Sequence, residues 1–186
     1  AYVQLLNHLG VDKVSIVAIS AGAWSALEFA SRHPDRCHAL VLIIPAKQLP
    51  PQTRNYGGAI ARAMFGSDFI MWAALKLTPM FPGTMDAIML GTNASVVQAS
   101  TPAEKTRVQE VLEHLLPMSA RSEGMKFDIE TATSPAPVSL EKISCPVLAI
   151  SADDDLFGTA SRARQIAAAV PKRRTVIYPT GGHVLV

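Results

Sequence analysis

The sequence predicts an α/β fold: a mostly parallel sheet flanked by helices, with a helical segment inserted between two of the strands. Three observations lead there. An apolar run, Val14 to Ile19, passes through one serine into a helix-patterned run and then into a second apolar run, Ala39 to Ile44. A long stretch rich in methionine and proline follows. Strand, helix and strand patterns then return between Val147 and Tyr178. The boundaries divide the chain into a sheet-bearing core, residues 1–46 and 143–186, and a helical insertion, residues 47–142.

Taken in order, Tyr2 to Leu9 reads as a helix ended by Gly10 in the C′ position. Val14 to Ile19 is apolar and β-branched apart from Ser15, the pattern of a strand buried on both faces. Ala21 to Ser31 places Trp24, Leu27 and Ala30 at helical spacing and stops before Pro34. With Ala39 to Ile44 this makes a strand–helix–strand unit, whose parallel, right-handed crossover follows from chain chirality.

The insertion holds all seven methionines, with Phe65, Phe69, Trp72 and Phe81, and is broken by Pro79, Pro82, Pro102 and Pro117. Helices are expected near 53–65, 68–77, 82–90, 102–116 and 119–131. Thr101-Pro102-Ala103-Glu104 supplies a cap, proline at the first helical position and an acid at N3. Strand character resumes at Val147 to Ser151, and Ala152-Asp153-Asp154-Asp155 follows at once. Thr159 is the expected cap of a helix from Ala160 to Val170, closed by Pro171. Lys172-Arg173-Arg174 reads as a solvated loop, Thr175 to Tyr178 as the last strand, and Pro179-Thr180-Gly181-Gly182-His183 as a glycine-rich loop.

With 186 residues, 49% of them hydrophobic, the chain can bury a sizeable core. Its net charge of +2 is scattered, which gives nucleic-acid binding little support. Cys37 and Cys145 have no metal-type spacing and read as two free buried thiols, with a disulfide the alternative. No apolar run reaches membrane-spanning length, so the chain as given reads as soluble. It opens inside a helix pattern without a methionine and closes as an apolar element begins, which suggests a piece cut at both ends, with localisation and any signal or anchor left to what precedes it. His8, His33, His38 and His114 carry no motif and read as structural. Three adjacent aspartates without further carboxylates at ligand spacing do not make a calcium loop, so no metal or cofactor is expected.

The chemistry-bearing residues fall after strands. A sharp turn between strand and helix strains the backbone at Ser20 and demands small neighbours two residues away on either side, here Ala18 and Gly22. The helix behind the turn aims its N-terminal N–H groups at the hydroxyl, where an oxyanion would form. A serine at such a joint is also a favoured N-cap, and that reading stands beside the catalytic one. Ligands meet the carboxyl ends of strands in open parallel sheets. Ser20, the aspartates and His183 each follow a strand, so all three are expected at one edge.

Ala18-Ile19-Ser20-Ala21-Gly22 resembles the nucleophile elbow, G-x-S-x-G, of the α/β-hydrolases, with Ala18 in place of the first glycine. Ala152 to Asp155 resembles the family's G-x-x-D segment and Gly181-Gly182-His183 its G-G-H loop. The resemblance implies Ser20 as nucleophile, His183 as base, Asp155 as the acid with Asp154 the alternative, and Ala21 N–H as an oxyanion donor. It implies that the helical insertion is a lid and the substrate a small molecule with an apolar acyl group, lined by Trp24, Phe157, Trp72 and Met71. The family's early strands and second oxyanion loop would precede residue 1. The piece alone is therefore expected to expose an apolar edge along Val14 to Ile19 and to be inactive.

The expected function is hydrolysis of an ester or related acyl bond. A serine nucleophile argues against the dehalogenase and epoxide hydrolase chemistry of the family, while an acyltransferase or perhydrolase would use the same triad. The reading from another class is a catalytically silent member that binds an apolar ligand or a partner. Composition fixes no oligomeric state.

Overall fold

The apolar run after Lys13 forms β1 (Val14–Ile19) in the computed structural model, which describes residues 1–49, 63, 65–77, 80, 90–134 and 137–185. Helix α1 (Tyr2–His8) precedes it, and Gly10 at φ 65° turns the chain out of that helix, as the sequence predicts. Helix α2 (Gly22–Arg32) and strand β2 (Cys37–Ile43) follow. β2 ends one residue earlier than expected because Ile44 takes φ 45°, outside the strand region, while its N–H donates to the Ile150 carbonyl at 2.7 Å.

The described helices of the insertion are α3 (Asp68–Leu77), α4 (Ala94–Ala99), α5 (Pro102–Glu113) and α6 (Ser122–Thr133). Strand β3 (Val147–Ala152), α7 (Thr159–Ala169) and β4 (Arg173–Tyr178) complete the chain. The four strands form one sheet in the order β1-β2-β3-β4, every pair parallel, with Leu40 opposite Val147 and Ala152 opposite Tyr178.

The chain divides into two units. One comprises Ala1–Lys47, Pro137–Asp153 and Phe157–Pro179 and contains the sheet; the other comprises Gln48–Ala136, Asp154–Leu156 and Thr180–Val186. In the sheet unit, α2 lies against β1 and β2 and α7 against β3 and β4. Leu27, Leu40, Leu42, Val147 and Ile166 meet in a single apolar cluster, to which α1 adds Val3 and Leu6. That cluster covers one sheet face only. Val17 and Ile19, on the other face of the terminal strand, are 64% and 58% exposed, so β1 is not buried on both faces. Burying apolar side chains of this size stabilises by about 1.5–3 kcal/mol each, which explains why an exposed pair of this kind stands out.

The helical unit has its own core of Met71, Leu75, Leu90, Val108, Leu112 and Met118. α5 begins with the expected capping box: Thr101 accepts from the Glu104 N–H, and Glu104 accepts from the Thr101 N–H at 2.8 Å. Three expectations change. α7 starts at Thr159, and Gly158, at φ 67°, is its N-cap; Thr159 is buried and its hydroxyl hydrogen-bonds with Ser151 at 2.7 Å. Arg173 and Arg174 belong to β4, opposite Val147 and Leu148, and not to a loop. α4 has no counterpart among the helices the sequence predicts. The helix expected at 82–90 lies outside the described residues apart from Leu90, and the one at 53–65 apart from residues 63 and 65.

Candidate active site

Ser20 stands where β1 gives way to α2, at φ 48°. A side-chain-bearing residue in this left-handed region costs roughly 1–3 kcal/mol and persists only where the surroundings over-determine it. They do so through the backbone. The Ser20 N–H donates to the Ile43 carbonyl at 3.0 Å, and the Ser20 carbonyl accepts from Ala23 N–H at 3.1 Å and Ala46 N–H at 3.0 Å. A methyl group is accommodated at Ala18: a Cβ built onto Gly22 would meet the Ala18 Cβ at 4.0 Å, an ordinary contact. Ala21 is the N-cap of α2. Its N–H lies among the first amides of the helix, which the helix's own ladder cannot satisfy.

The three adjacent aspartates have three separate tasks. Asp153 makes an exposed ion pair with Arg164 at 2.7 Å. Asp154 accepts from Thr180 Oγ1 at 2.8 Å, from Gly181 N–H at 3.3 Å and from Gly182 N–H at 2.8 Å. Partial burial pushes the Asp154 carboxyl up, but the donors from Gly182, Thr180 and Gly181 outweigh it and hold it below the usual carboxylate range. Asp155 has a wholly buried side chain, and its Oδ2 lies 2.9 Å from His183 Nδ1. The contact can take its hydrogen from Nδ1, because a carboxylate in its ionised form only accepts.

A residue without a motif organises this part of the helical unit. Thr92 is fully buried; its hydroxyl accepts from the His183 N–H at 2.9 Å and donates to the Leu90 carbonyl at 3.0 Å. Next to it, the Gly91 carbonyl accepts from the Leu156 N–H at 2.9 Å, anchoring the residue after Asp155. One turn therefore holds both the histidine arm and the aspartate arm. Its only sequence signal is the Gly91-Thr92-Asn93 turn composition, with Gly91 at φ 54°.

Ser20 and Ala21 thus belong to the sheet unit, and Asp155 and His183 meet in the helical unit. Of the side chains expected to line a pocket, Trp72 is 47% exposed and stacks on Phe69, and Phe157 is 37% exposed. Trp24 lies under the Arg162 guanidinium, 5.1 Å from its ring centroid. Met71 has no exposed surface and is a core residue of the helical unit.

The family profile describing the α/β-hydrolase fold matches residues 1–186. Among curated proteins, the chain is 27% identical to RutD of Caulobacter sp. (strain K31), named as a carbamate hydrolase, over 97% of this chain and 62% of that protein. It is 38% identical over 56 residues to the homoserine O-acetyltransferase of Thermus thermophilus, which covers 30% of this chain and 15% of that enzyme. Among solved structures, an α/β-hydrolase fold protein from Nakamurella multipartita superimposes with a TM-score of 0.66 at 20% identity, over 98% of this chain and 66% of that one. The chain therefore spans less than two thirds of the length of these relatives.

Proposed function

The chain belongs to the α/β-hydrolase fold family, and from that premise we propose that it serves as a serine hydrolase of an ester or related acyl bond. Ser20 is the nucleophile, His183 the base and Asp155 the acid behind it. The observation that carries this reading is the 2.9 Å contact between His183 Nδ1 and the buried Asp155 carboxylate. It supports the reading because a carboxylate behind Nδ1 is the arrangement that leaves Nε2 for a general base.

In the proposed reaction, His183 Nε2 takes the Ser20 hydroxyl proton as Oγ attacks the acyl carbon. The Ala21 N–H donates to the oxyanion, aided by the positive end of α2. Collapse of the intermediate expels the alcohol or amine, which receives the proton from His183, and leaves an acyl-serine that water hydrolyses by the same steps in reverse roles. Asp155 stabilises the imidazolium throughout. The insertion at residues 47–142 would act as a lid, and Trp72 on it carries exposed aromatic surface of the kind an apolar acyl group favours. Ala21 is the single oxyanion donor assigned within these residues, so the 186-residue chain by itself is expected to turn over esters poorly.

A second reading shares the acyl-serine but passes the acyl group to an acceptor other than water. The 56-residue stretch at 38% identity to an O-acetyltransferase favours keeping it. Fluorophosphonate labelling of the whole protein tests the common step. Modification at Ser20, lost in Ser20→Ala together with at least about 10⁴-fold of turnover, is expected. Folded protein that takes no label would instead make this a binding member of the family.

A further inference from the structure

Cys37 opens β2, and Cys145 stands two residues ahead of β3, the strand that pairs with β2. The pairing of Leu40 with Val147, and the bond from Leu40 N–H to the Pro146 carbonyl at 2.9 Å, carry the register back to the level of the two thiols. Both side chains enter the apolar cluster of the sheet unit, at 4% and 6% exposure, and their sulfurs lie 3.4 Å apart. Neighbouring strands keep their backbones within the span that a disulfide bridges. The sulfurs have to close from 3.4 Å to the covalent distance of about 2.05 Å.

We propose that Cys37 and Cys145 are a redox modification site, forming a reversible intramolecular disulfide that staples β2 to the approach of β3. The two residues are 108 apart in sequence, and the loop they would close contains the whole helical insertion. Cross-links that close long loops restrict the unfolded chain most. The oxidant is a small-molecule disulfide of the glutathione type. One protein thiolate attacks it, releasing one reagent thiol and leaving a mixed disulfide; the second protein thiolate then displaces the other reagent half as a thiol. Two protein S–H bonds and one reagent S–S bond become one protein S–S bond and two reagent S–H bonds, and two electrons pass to the reagent.

The closed fold resists this exchange. Burial, followed by the hydrogen bond and charge of Cys145, pushes the Cys37 thiol up to about 12, so thiolate is scarce at neutral pH. The staple therefore forms while the sheet assembles or opens, and is shielded once made.

The test refolds the 186-residue chain from denaturant with oxidised glutathione and, separately, with dithiothreitol. Oxidised chain should run as a single chain on non-reducing denaturing gels, lose the mass of two hydrogens and show no titratable thiol in denaturant. It should also melt higher than the chain refolded with dithiothreitol by on the order of 10 °C. Cys145→Ala and Cys37→Ser should each keep one thiol and lose the oxidant-dependent shift. Wild-type chain that retains both thiols, forms only intermolecular or mixed disulfides, or melts no higher when oxidised overturns the proposal. None of these readouts involves Ser20, Asp155 or His183.

Discussion

The elbow in the sheet unit and the histidine loop in the helical unit both hold backbone in the left-handed region, yet they are secured by opposite means. Ser20 at φ 48° is fixed by main-chain hydrogen bonds to Ile43, Ala23 and Ala46, all in segments that border the elbow or the strand beside it. Gly181 and Gly182, at φ 139° and 59°, are fixed by side chains: the Asp154 carboxylate takes both their N–H groups, and Thr92 takes the next one, from His183. A site held by main chain tolerates side-chain changes around it. A site held by side chains does not.

The largest expected effect follows from that contrast. A Cβ on Gly182 would sit 2.7 Å from Thr92 Cβ and closer still to its two γ atoms, at a backbone angle that already disfavours a side chain. Gly182→Ala should cost about 3 kcal/mol or more, read by urea denaturation, and should displace His183. A loss below about 1 kcal/mol would mean that the Thr92 turn yields easily, and the contrast would fail.

Thr92→Val comes next. It keeps the shape and removes the hydroxyl that accepts from the His183 N–H and donates to the Leu90 carbonyl, where Thr92 is fully buried. A loss of about 1–3 kcal/mol is expected, with Thr92→Ser recovering most of it. Equal losses in both variants would assign the effect to packing of the methyl group and not to the hydrogen bonds.

Asp154→Asn is smaller, about 1–2 kcal/mol, because the carboxylate is partly solvated and its bonds are screened. The pH dependence has a definite sign. The folded-state pKa lies below the ordinary aspartate value of 3.8, so the contribution is complete above that value and is lost as pH falls through the lowered folded-state value. The stability gap between wild type and Asp154→Asn should be constant near neutrality and shrink below about pH 4. A gap that stays level into acid would show that geometry, not charge, holds the loop.

The same contrast explains what could be read in the sequence. β1, β3 and α3 announce themselves through local runs and spacing, and the Thr101 capping box needs only four adjacent residues. The elbow, too, is local: strand, serine, small residue and helix lie in one stretch. α4 escapes because its six residues are too short to display a helical period. Thr92 escapes because its partner, His183, is 91 residues away and nothing local marks a buried threonine as a loop anchor. Thr159 looks like a cap because threonine favours that role, but its hydroxyl is claimed by Ser151 across a tertiary contact. The histidine and the aspartates are found by resemblance to known loops. The separate tasks of Asp153, Asp154 and Asp155 depend on distant donors, which adjacency in sequence cannot rank.

Gly22→Ala is the smallest change and the sharpest check on the elbow. The sequence asks for a small residue here, since a tight strand-to-helix turn leaves little room on either side. The structure sets the limit: its φ is not positive, and an added methyl meets only the Ala18 Cβ, at 4.0 Å. Alanine is also a better helix former than glycine in α2, though its advantage is reduced in the first turn. Stability should change by no more than about 0.5 kcal/mol, and fluorophosphonate labelling at Ser20 should persist. If Gly22→Ala instead proved as damaging as Gly182→Ala, close packing of side chains around Ser20, and not the bonds from Ile43, Ala23 and Ala46, would have to be what keeps the elbow in its strained conformation.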